Sequence, residues 1–197
     1  MKIIFIHGAN ASKTSWNWVG SQVENHDRFE WGMMTDPEKN LESMEAKLTE
    51  PCFIVGHSMG GLYAWHLANR NPDLVVGGMS IGTPFGGSIQ AGLWQMFNIN
   101  VPWLQMLARH EPWTAQTRLL DTPVTWTNVV TTHGFDLFAV GKNDGVVTVA
   151  SQRELGGEHK EITLDYGHNE VLQSPELAST ILDISSRCFV RQTNLVS

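Results

Sequence analysis

The sequence is poor in cysteine and in positive charge. Its 197 residues include 2 cysteines, and 13 lysines and arginines stand against 20 aspartates and glutamates, which gives a formal net charge of −7. Cys52 and Cys188 lack the spacing of a zinc site or a CxxC redox site, so we expect both to be reduced. An acidic chain without clusters of Lys and Arg is a poor partner for nucleic acid or for an anionic membrane surface.

Long apolar runs are also absent. The first run, Ile3–Ile6, ends at His7-Gly8 and is too short for the core of a signal peptide or for a membrane span. Residues 74–108 carry no charge and are rich in Trp and Met. Gly, Gln, Asn and Pro nevertheless interrupt each apolar run before the roughly 18–20 residues that a spanning helix needs. We therefore expect a cytoplasmic protein without an integral membrane segment; the sequence does not indicate its oligomeric state.

The hydrophobic content, 42%, suits one compact domain over residues 1–197. Apolar runs typical of buried strands alternate with helical patterns, and this alternation predicts a parallel sheet whose ligands bind at the carboxyl ends of the strands. The predicted strands are residues 2–6, 28–34, 52–55, 74–81, 135–140 and 159–164.

One stretch has the pattern of a catalytic nucleophile. The predicted strand at residues 52–55 runs into Gly56-His57-Ser58-Met59-Gly60, and a helical pattern follows directly. In a Gly-x-Ser-x-Gly turn between strand and helix, small residues two places to either side allow a strained backbone that exposes the serine hydroxyl. The alternative is a flexible turn without function. The strand and helix around it favour Ser58 as a nucleophile.

The end of the first strand suggests an oxyanion-binding loop beside that serine. His7-Gly8 would let the following backbone fold over the strand end, where the N–H of Ala9 could face a developing oxyanion opposite the N–H of Met59. A plain tight turn is the alternative interpretation of His7-Gly8.

A nucleophilic serine also needs a base, and eight histidines are available. Only His168 follows the last predicted strand in a glycine-bearing loop at the carboxyl edge of the sheet. The alternative for His168 is a loop histidine with a structural hydrogen bond. The other seven fit backbone turns, a helix, or ordinary surface and loop positions: His7, His57, His66, His26, His110, His133 and His159.

The acid that orients the base is best supplied by Asp144, which follows the strand predicted at residues 135–140. Asp136 lies inside that strand, and Asp165 is too close to His168 in the chain to support its ring easily.

Residues 85–133 are expected to form a helical, lid-like insertion. Their Trp and Met side chains suit a wall for an apolar acyl group, although a pair of core helices over the sheet explains them equally well. The candidate pocket residues are His7, Thr83, Phe85, Trp94 and Trp103.

These motifs, in their order along the chain, resemble those of the α/β-hydrolases, and most of all the compact bacterial lipases and esterases. Residues 82–88 are similar to the Thr-Pro-His-x-Gly-Ser stretch of lipases and related acyltransferases, with Phe85 in place of the usual histidine. The resemblance implies a single, mostly parallel sheet of about six strands with helices on both faces and reduced N-terminal strands. The motifs that carry it are residues 6–8, 56–61, 141–147 and 166–168.

The resemblance further implies a Ser58-His168-Asp144 triad that forms an acyl-enzyme, with Ala9 and Met59 holding the oxyanion. We therefore expect hydrolysis of a small-molecule or lipid acyl ester, without a metal or an organic cofactor. A thioesterase, an amidase and an acyltransferase are alternatives on the same triad. A catalytically silent binding protein, with its tryptophans at 94–113 as the contact surface, is a further one.

Overall fold

The structure, a computed structural model, describes residues 2–87, 112–134 and 141–196. Within these ranges six parallel strands form one sheet in the order β2-β1-β3-β4-β5-β6. The register places Ile6, Gly56 and Ser80 side by side, so the carboxyl ends of β1, β3 and β4 are level. The strands are β1 (Lys2–Ile6), β2 (His26–Phe29), β3 (Cys52–His57), β4 (Val75–Ile81), β5 (Thr125–Thr131) and β6 (Lys160–Leu164).

Helices cover both faces of the sheet. Asp36 caps helix α2 (Pro37–Glu45), since its side chain accepts hydrogen bonds from the backbone N–H groups of Glu38 and Lys39, and proline occupies the first helical position. Two short 3₁₀ helices, Lys13–Trp16 and Glu170–Gln173, are not numbered with the α-helices. The α-helices are α1 (Asn17–Ser21), α2 (Pro37–Glu45), α3 (Met59–Arg70), α4 (Pro112–Leu119), α5 (Val149–Gln152) and α6 (Pro175–Val196).

Side chains point alternately to the two faces of the sheet along each strand, so the core has two layers. Ile54 of β3 packs with α2 and α3 on one face, whereas its neighbours Phe53 and Val55 pack with α1 and α6 on the other. Because β1 and β3 are buried on both faces, they are continuous apolar runs, as the sequence suggested.

The sequence-based prediction of a helical segment at 85–133 is wrong for its last part, where Thr125–Thr131 forms β5 inside the sheet. Within this strand the buried Asn128 amide donates to the Gln152 carbonyl oxygen at 2.8 Å, and Ser80 Oγ donates to Asn128 Oδ1 at 3.0 Å. These tertiary partners stabilise a polar sequence as an interior strand. Helix α4 does lie in the predicted segment.

Two further predictions fall outside the described residues. The strand expected at 135–140 does so entirely, and so do residues 88–111 of the expected lid. Among the helices that the structure describes, none has the length and apolar character needed to cross a membrane.

Candidate active site

Ser58 lies at the junction of β3 and α3 in a backbone conformation that L-residues rarely adopt, with φ 53° and ψ −128°. The turn is tight because a side chain on Gly56 would overlap the Gly60 carbonyl, and one on Gly60 would overlap the carbonyl of Ile6. The Ser58 N–H donates to the Ile81 carbonyl oxygen at 2.8 Å, which joins the turn to the end of β4. Strain of this kind persists where the surrounding structure enforces it, as it does at many functional sites.

His168 and Asp144, both chosen from sequence, are in direct contact. His168 Nδ1–H donates to Asp144 Oδ2 at 2.7 Å, and the His168 backbone N–H donates to the Asp144 carbonyl oxygen at 2.9 Å. Both residues are buried, with exposed fractions of 6% and 2%. With Nδ1 carrying the proton, His168 Nε2 has a free lone pair and can accept a proton.

The Asp144 carboxylate is held by a dense set of donors. Its Oδ1 accepts the backbone N–H groups of Val146 and Val147 at 3.0 and 2.7 Å. Its Oδ2 accepts Thr131 Oγ1–H at 2.5 Å and a Gln152 amide N–H at 3.2 Å. Burial acts to raise the pKa of Asp144, but the hydrogen bonds, led by that from His168, outweigh burial and leave the pKa below its usual value. Asp144 is therefore ionised at neutral pH.

Sequence reasoning did not identify Thr131 and Gln152 as supports of Asp144. Thr131 ends β5, and Gln152 ends α5, so both reach the carboxylate only through the tertiary fold. Gln152 also binds the Thr131 backbone, since its Oε1 accepts the Thr131 N–H at 2.8 Å and its Nε2 donates to the carbonyl oxygen at 3.0 Å. Thr131 falls in the segment predicted as helical and Gln152 lies beyond the predicted loop at 141–147, so no sequence pattern indicated either contact.

His57 connects the serine turn to the His168 loop. Its Nε2–H donates to the His168 backbone carbonyl oxygen at 2.8 Å, and the two rings lie 4.7 Å apart. Burial, and then the neighbouring His168, lower the pKa of His57 to about 3, so its ring is neutral. The contact fixes the loop of the candidate base against the residue that precedes the candidate nucleophile.

The loop after β1 passes close to Ser58. A Cβ added to Gly8 would lie 2.9 Å from Ser58 Cβ, so only glycine permits this approach. The Ala9 N–H has no acceptor among the described residues. Met59 is the first residue of α3, and its N–H therefore has no acceptor within the helix. The oxyanion-binding role of these two N–H groups stays a prediction.

The expected pocket residues differ in their placement. Phe85 is fully buried in the core cluster that contains Met59 and Tyr63, and Thr83 is fully buried against Gly61. Trp94 and Trp103 lie outside the described residues, so the role of all four in a pocket stays a prediction. Over the described ranges, no group of three or more His, Cys, Asp or Glu side chains is placed to hold a metal ion.

Acid is expected to destabilise the protein through His57. The folded protein keeps this ring neutral down to a pKa of about 3, whereas the unfolded chain takes up a proton near pH 6.5. Stability is therefore lost as the pH falls from about 6.5 towards 3, by about 1 kcal/mol per pH unit for this group.

The variant His57→Gln, which keeps an N–H for the His168 carbonyl, should lose that pH dependence. We would measure the free energy of unfolding of both proteins by urea denaturation between pH 7 and pH 4. We expect its slope with pH to be smaller in the variant than in the wild type by about 1 kcal/mol per pH unit. Parallel curves for the two proteins would show that His57 is not held neutral.

Comparison with known proteins identifies the family. Residues 38–187 match the model of the Esterase family ("Putative esterase"). This chain belongs to the Esterase family. The match extends from α2 to α6 and includes Ser58, Asp144 and His168.

As a member of the Esterase family, the chain is similar in sequence to two mouse (Mus musculus) proteins. It is 34% identical to sn-1-specific diacylglycerol lipase ABHD11 over 122 residues, covering 51% of this chain and 40% of the relative. It is 31% identical to phosphatidylcholine-sterol acyltransferase over 101 residues, covering 44% of this chain and 22% of the relative. The chain thus spans less than half the length of either relative.

Solved structures confirm the α/β-hydrolase fold. The mature form of the Bacillus licheniformis lipase BlEst2 matches with a TM-score of 0.74 and 16% identity, over 93% of this chain and 91% of that one. The metagenomic carboxyl esterase MGS0156 matches with a TM-score of 0.67 and 16% identity, over 98% of this chain and 76% of that one. At such identities the likeness establishes the fold and not the substrate.

Proposed function

We propose that the protein hydrolyses a carboxylic ester through an acyl-enzyme formed on Ser58. Membership of the Esterase family supports the reaction class. The observation that carries the proposal is the buried Asp144–His168 hydrogen bond of 2.7 Å, in a loop that is also hydrogen-bonded to His57, the residue before Ser58. These contacts support Ser58 as the nucleophile, His168 as the base and Asp144 as the acid that orients the base.

In the first half of the reaction, His168 Nε2 takes the Ser58 hydroxyl proton while Ser58 Oγ bonds to the ester carbonyl carbon. The Asp144 carboxylate stabilises the imidazolium that forms. The carbonyl electrons move to its oxygen, which accepts hydrogen bonds from the Ala9 and Met59 N–H groups. The C–O bond to the alcohol then breaks, and His168 gives its proton to the leaving oxygen. The acyl group remains on Ser58.

In the second half, a water molecule replaces the alcohol. His168 Nε2 removes a proton from the water as its oxygen bonds to the acyl carbon. The second tetrahedral intermediate collapses, the proton returns to Ser58 Oγ, and the carboxylic acid leaves. Each proton transfer in this scheme passes through His168 Nε2, and backbone N–H groups of the chain bind the oxyanion.

Acyl transfer to an alcohol is a second candidate, favoured by the sequence similarity to mouse phosphatidylcholine-sterol acyltransferase. An alcohol would then replace water in the second half of the reaction.

A panel of p-nitrophenyl esters from acetate to palmitate tests the proposed ester hydrolysis, and adding a competing alcohol tests acyl transfer. We expect saturable release of p-nitrophenol with free acid as the main product. No release with any ester would contradict the proposal, and a new ester as main product would favour the transferase.

The cysteines bear on the location of the protein. Cys52 and Cys188 are both buried, and neither forms a disulfide, which is typical of a protein in a reducing compartment. We therefore propose a cytoplasmic location. The formal net charge of −7 supports a small-molecule or lipid acyl ester, rather than nucleic acid, as the partner.

A further inference from the structure

A cleft of about 560 Å³ lies beside the loop that follows β1. It is on the β2 side of that loop, whereas His168 follows β6 at the other edge of the sheet. Its walls come from the loop after β1, the segment after β2 and helix α2. The residues that line it include His7, Ser12, Glu30, Trp31, Lys39 and Ser43.

The floor of the cleft is a fixed aromatic pair. The His7 and Trp31 rings stack at 5.3 Å with an interplanar angle of 8°, and their exposed fractions are 2% and 7%. The Trp31 indole N–H donates to the His7 backbone carbonyl oxygen at 2.9 Å, which holds the indole in place. Asn40 fixes the adjoining turn, since its side chain both donates to and accepts from the Gly32 backbone. The floor is therefore rigid before any ligand binds.

His7 contributes a hydrogen-bond acceptor to the cleft. Its Nδ1–H donates to the Gly8 carbonyl oxygen at 2.8 Å, so Nε2 carries the lone pair. No hydrogen-bond partner of Nε2 occurs in the part of the chain that the structure describes. Burial lowers the pKa of His7, and the ring is neutral near pH 7. A ligand hydroxyl in the cleft that His7 lines could donate to this lone pair.

The rim of the cleft supplies both hydrogen-bond donors and hydrogen-bond acceptors. Glu30 offers a carboxylate, whose Oε2 lies 3.8 Å from Lys13 Nζ and whose Oε1 accepts the Lys13 backbone N–H at 3.4 Å. Lys39 offers an ammonium group that has no carboxylate within 4.0 Å across the described ranges. The Ser43 hydroxyl can donate or accept, and the Ser12 hydroxyl, which already contacts the Thr14 hydroxyl at 2.7 Å, retains further hydrogen-bonding capacity. An acyl chain would displace water from these groups without replacing its hydrogen bonds, and an anion would meet Glu30, whereas a group with several hydroxyls can replace those bonds.

We propose that this cleft binds a hydroxyl-bearing part of the ester substrate, with His7 Nε2, Glu30 and Lys39 as its hydrogen-bonding groups. The inference rests on the proposed ester hydrolysis at Ser58 and specifies the substrate class for it. The hydroxyls can belong to the alcohol or to the acyl group of the ester, because the same polar atoms would receive either.

Two matched substrate pairs separate these sources. In the first pair, glycerol 1-monobutyrate carries hydroxyls on the alcohol, and propyl butyrate is its control without them. In the second pair, ethyl 3,4-dihydroxybutanoate carries hydroxyls on the acyl group, and ethyl butanoate is the control. We expect kcat/KM, measured by acid release in a pH-stat, to favour the hydroxylated ester about tenfold in one pair. Equal values in both pairs would overturn the inference. Hydrolysis of p-nitrophenyl butyrate by the same sample reports the proposed function separately, so the two failures are distinguishable.

Two variants on neighbouring positions of α2 locate the effect. Ser43→Trp should fill the cleft and reduce the tenfold preference to about one, chiefly by raising KM for the hydroxylated ester. Glu42→Trp adds the same bulk on the same helix, at an exposed position that does not line the cleft, and should keep the wild-type preference. Glu30→Gln, which leaves the cleft open, should reduce the preference several-fold. Equal effects of the two tryptophans, or no effect of either, would contradict the assignment.

Discussion

Replacing Ser58 with alanine is expected to lower kcat for p-nitrophenyl butyrate by about 10⁵-fold or more, to the background rate. Ser58 Oγ is the atom that would bond to the substrate carbonyl carbon, and no other group can replace it in the turn between β3 and α3. Removing a nucleophile of this type elsewhere costs about 10⁶ in kcat. The remaining rate would come from the oxyanion-binding N–H groups alone.

The variant should still fold, because alanine tolerates the Ser58 position no worse than serine does and removes no described side-chain hydrogen bond. Ser179→Ala is the matched control, since its hydroxyl donates only to the Glu176 carbonyl oxygen on an exposed part of α6. We expect wild-type kinetics for Ser179→Ala and an unchanged circular dichroism spectrum for both. A Ser58→Ala protein that keeps more than a hundredth of the wild-type rate would contradict the mechanism.

Replacing Asp144 with asparagine is expected to lower kcat by about 10³–10⁴-fold with a small change in KM. An asparagine amide can donate to His168 Nδ1, which would move the ring proton to Nε2. The base would then present a hydrogen, and not a lone pair, to Ser58. The uncharged amide would also no longer stabilise the imidazolium.

Asp165→Asn is the control that distinguishes the two acids near His168. The Asp165 side chain is 75% exposed and accepts Thr132 Oγ1–H at 2.8 Å, without a contact to His168. We expect its kcat to stay within about twofold of the wild type. Similar losses in the two variants would show that Asp144 does not orient the base.

The serine turn could be predicted from the sequence because its cause is local. Gly56 and Gly60 are small where the backbones of β1 and α3 approach, and a short apolar run precedes them, so strand, turn and helix are all visible within about twenty residues. The parallel sheet could be predicted because apolar, strand-like runs alternate with helical patterns along the chain. The pairing of His168 with Asp144 was reached by their positions after predicted strands, and the structure brings their side chains into contact. Their catalytic roles stay a prediction.

Features that depend on distant contacts were not predictable. Strand β5 contains Asn128, whose buried amide needs Ser80 and Gln152, and neither partner is near it in the chain. His57 was assigned to a backbone turn, yet it binds the His168 carbonyl across 111 residues. In each case the hydrogen-bond partners of a buried polar residue are distant in the chain, so sequence patterns do not reveal them.

Covalent labelling by a fluorophosphonate tests the central claim most directly, since the probe reacts with a serine only when a neighbouring base activates it. The intact mass should rise by one probe per chain, and peptide mapping should place the label on Ser58. Asp144→Asn should label far more slowly than Asp165→Asn. A protein that hydrolyses esters while Ser58 remains unlabelled, or that carries the label on another serine, would contradict the account.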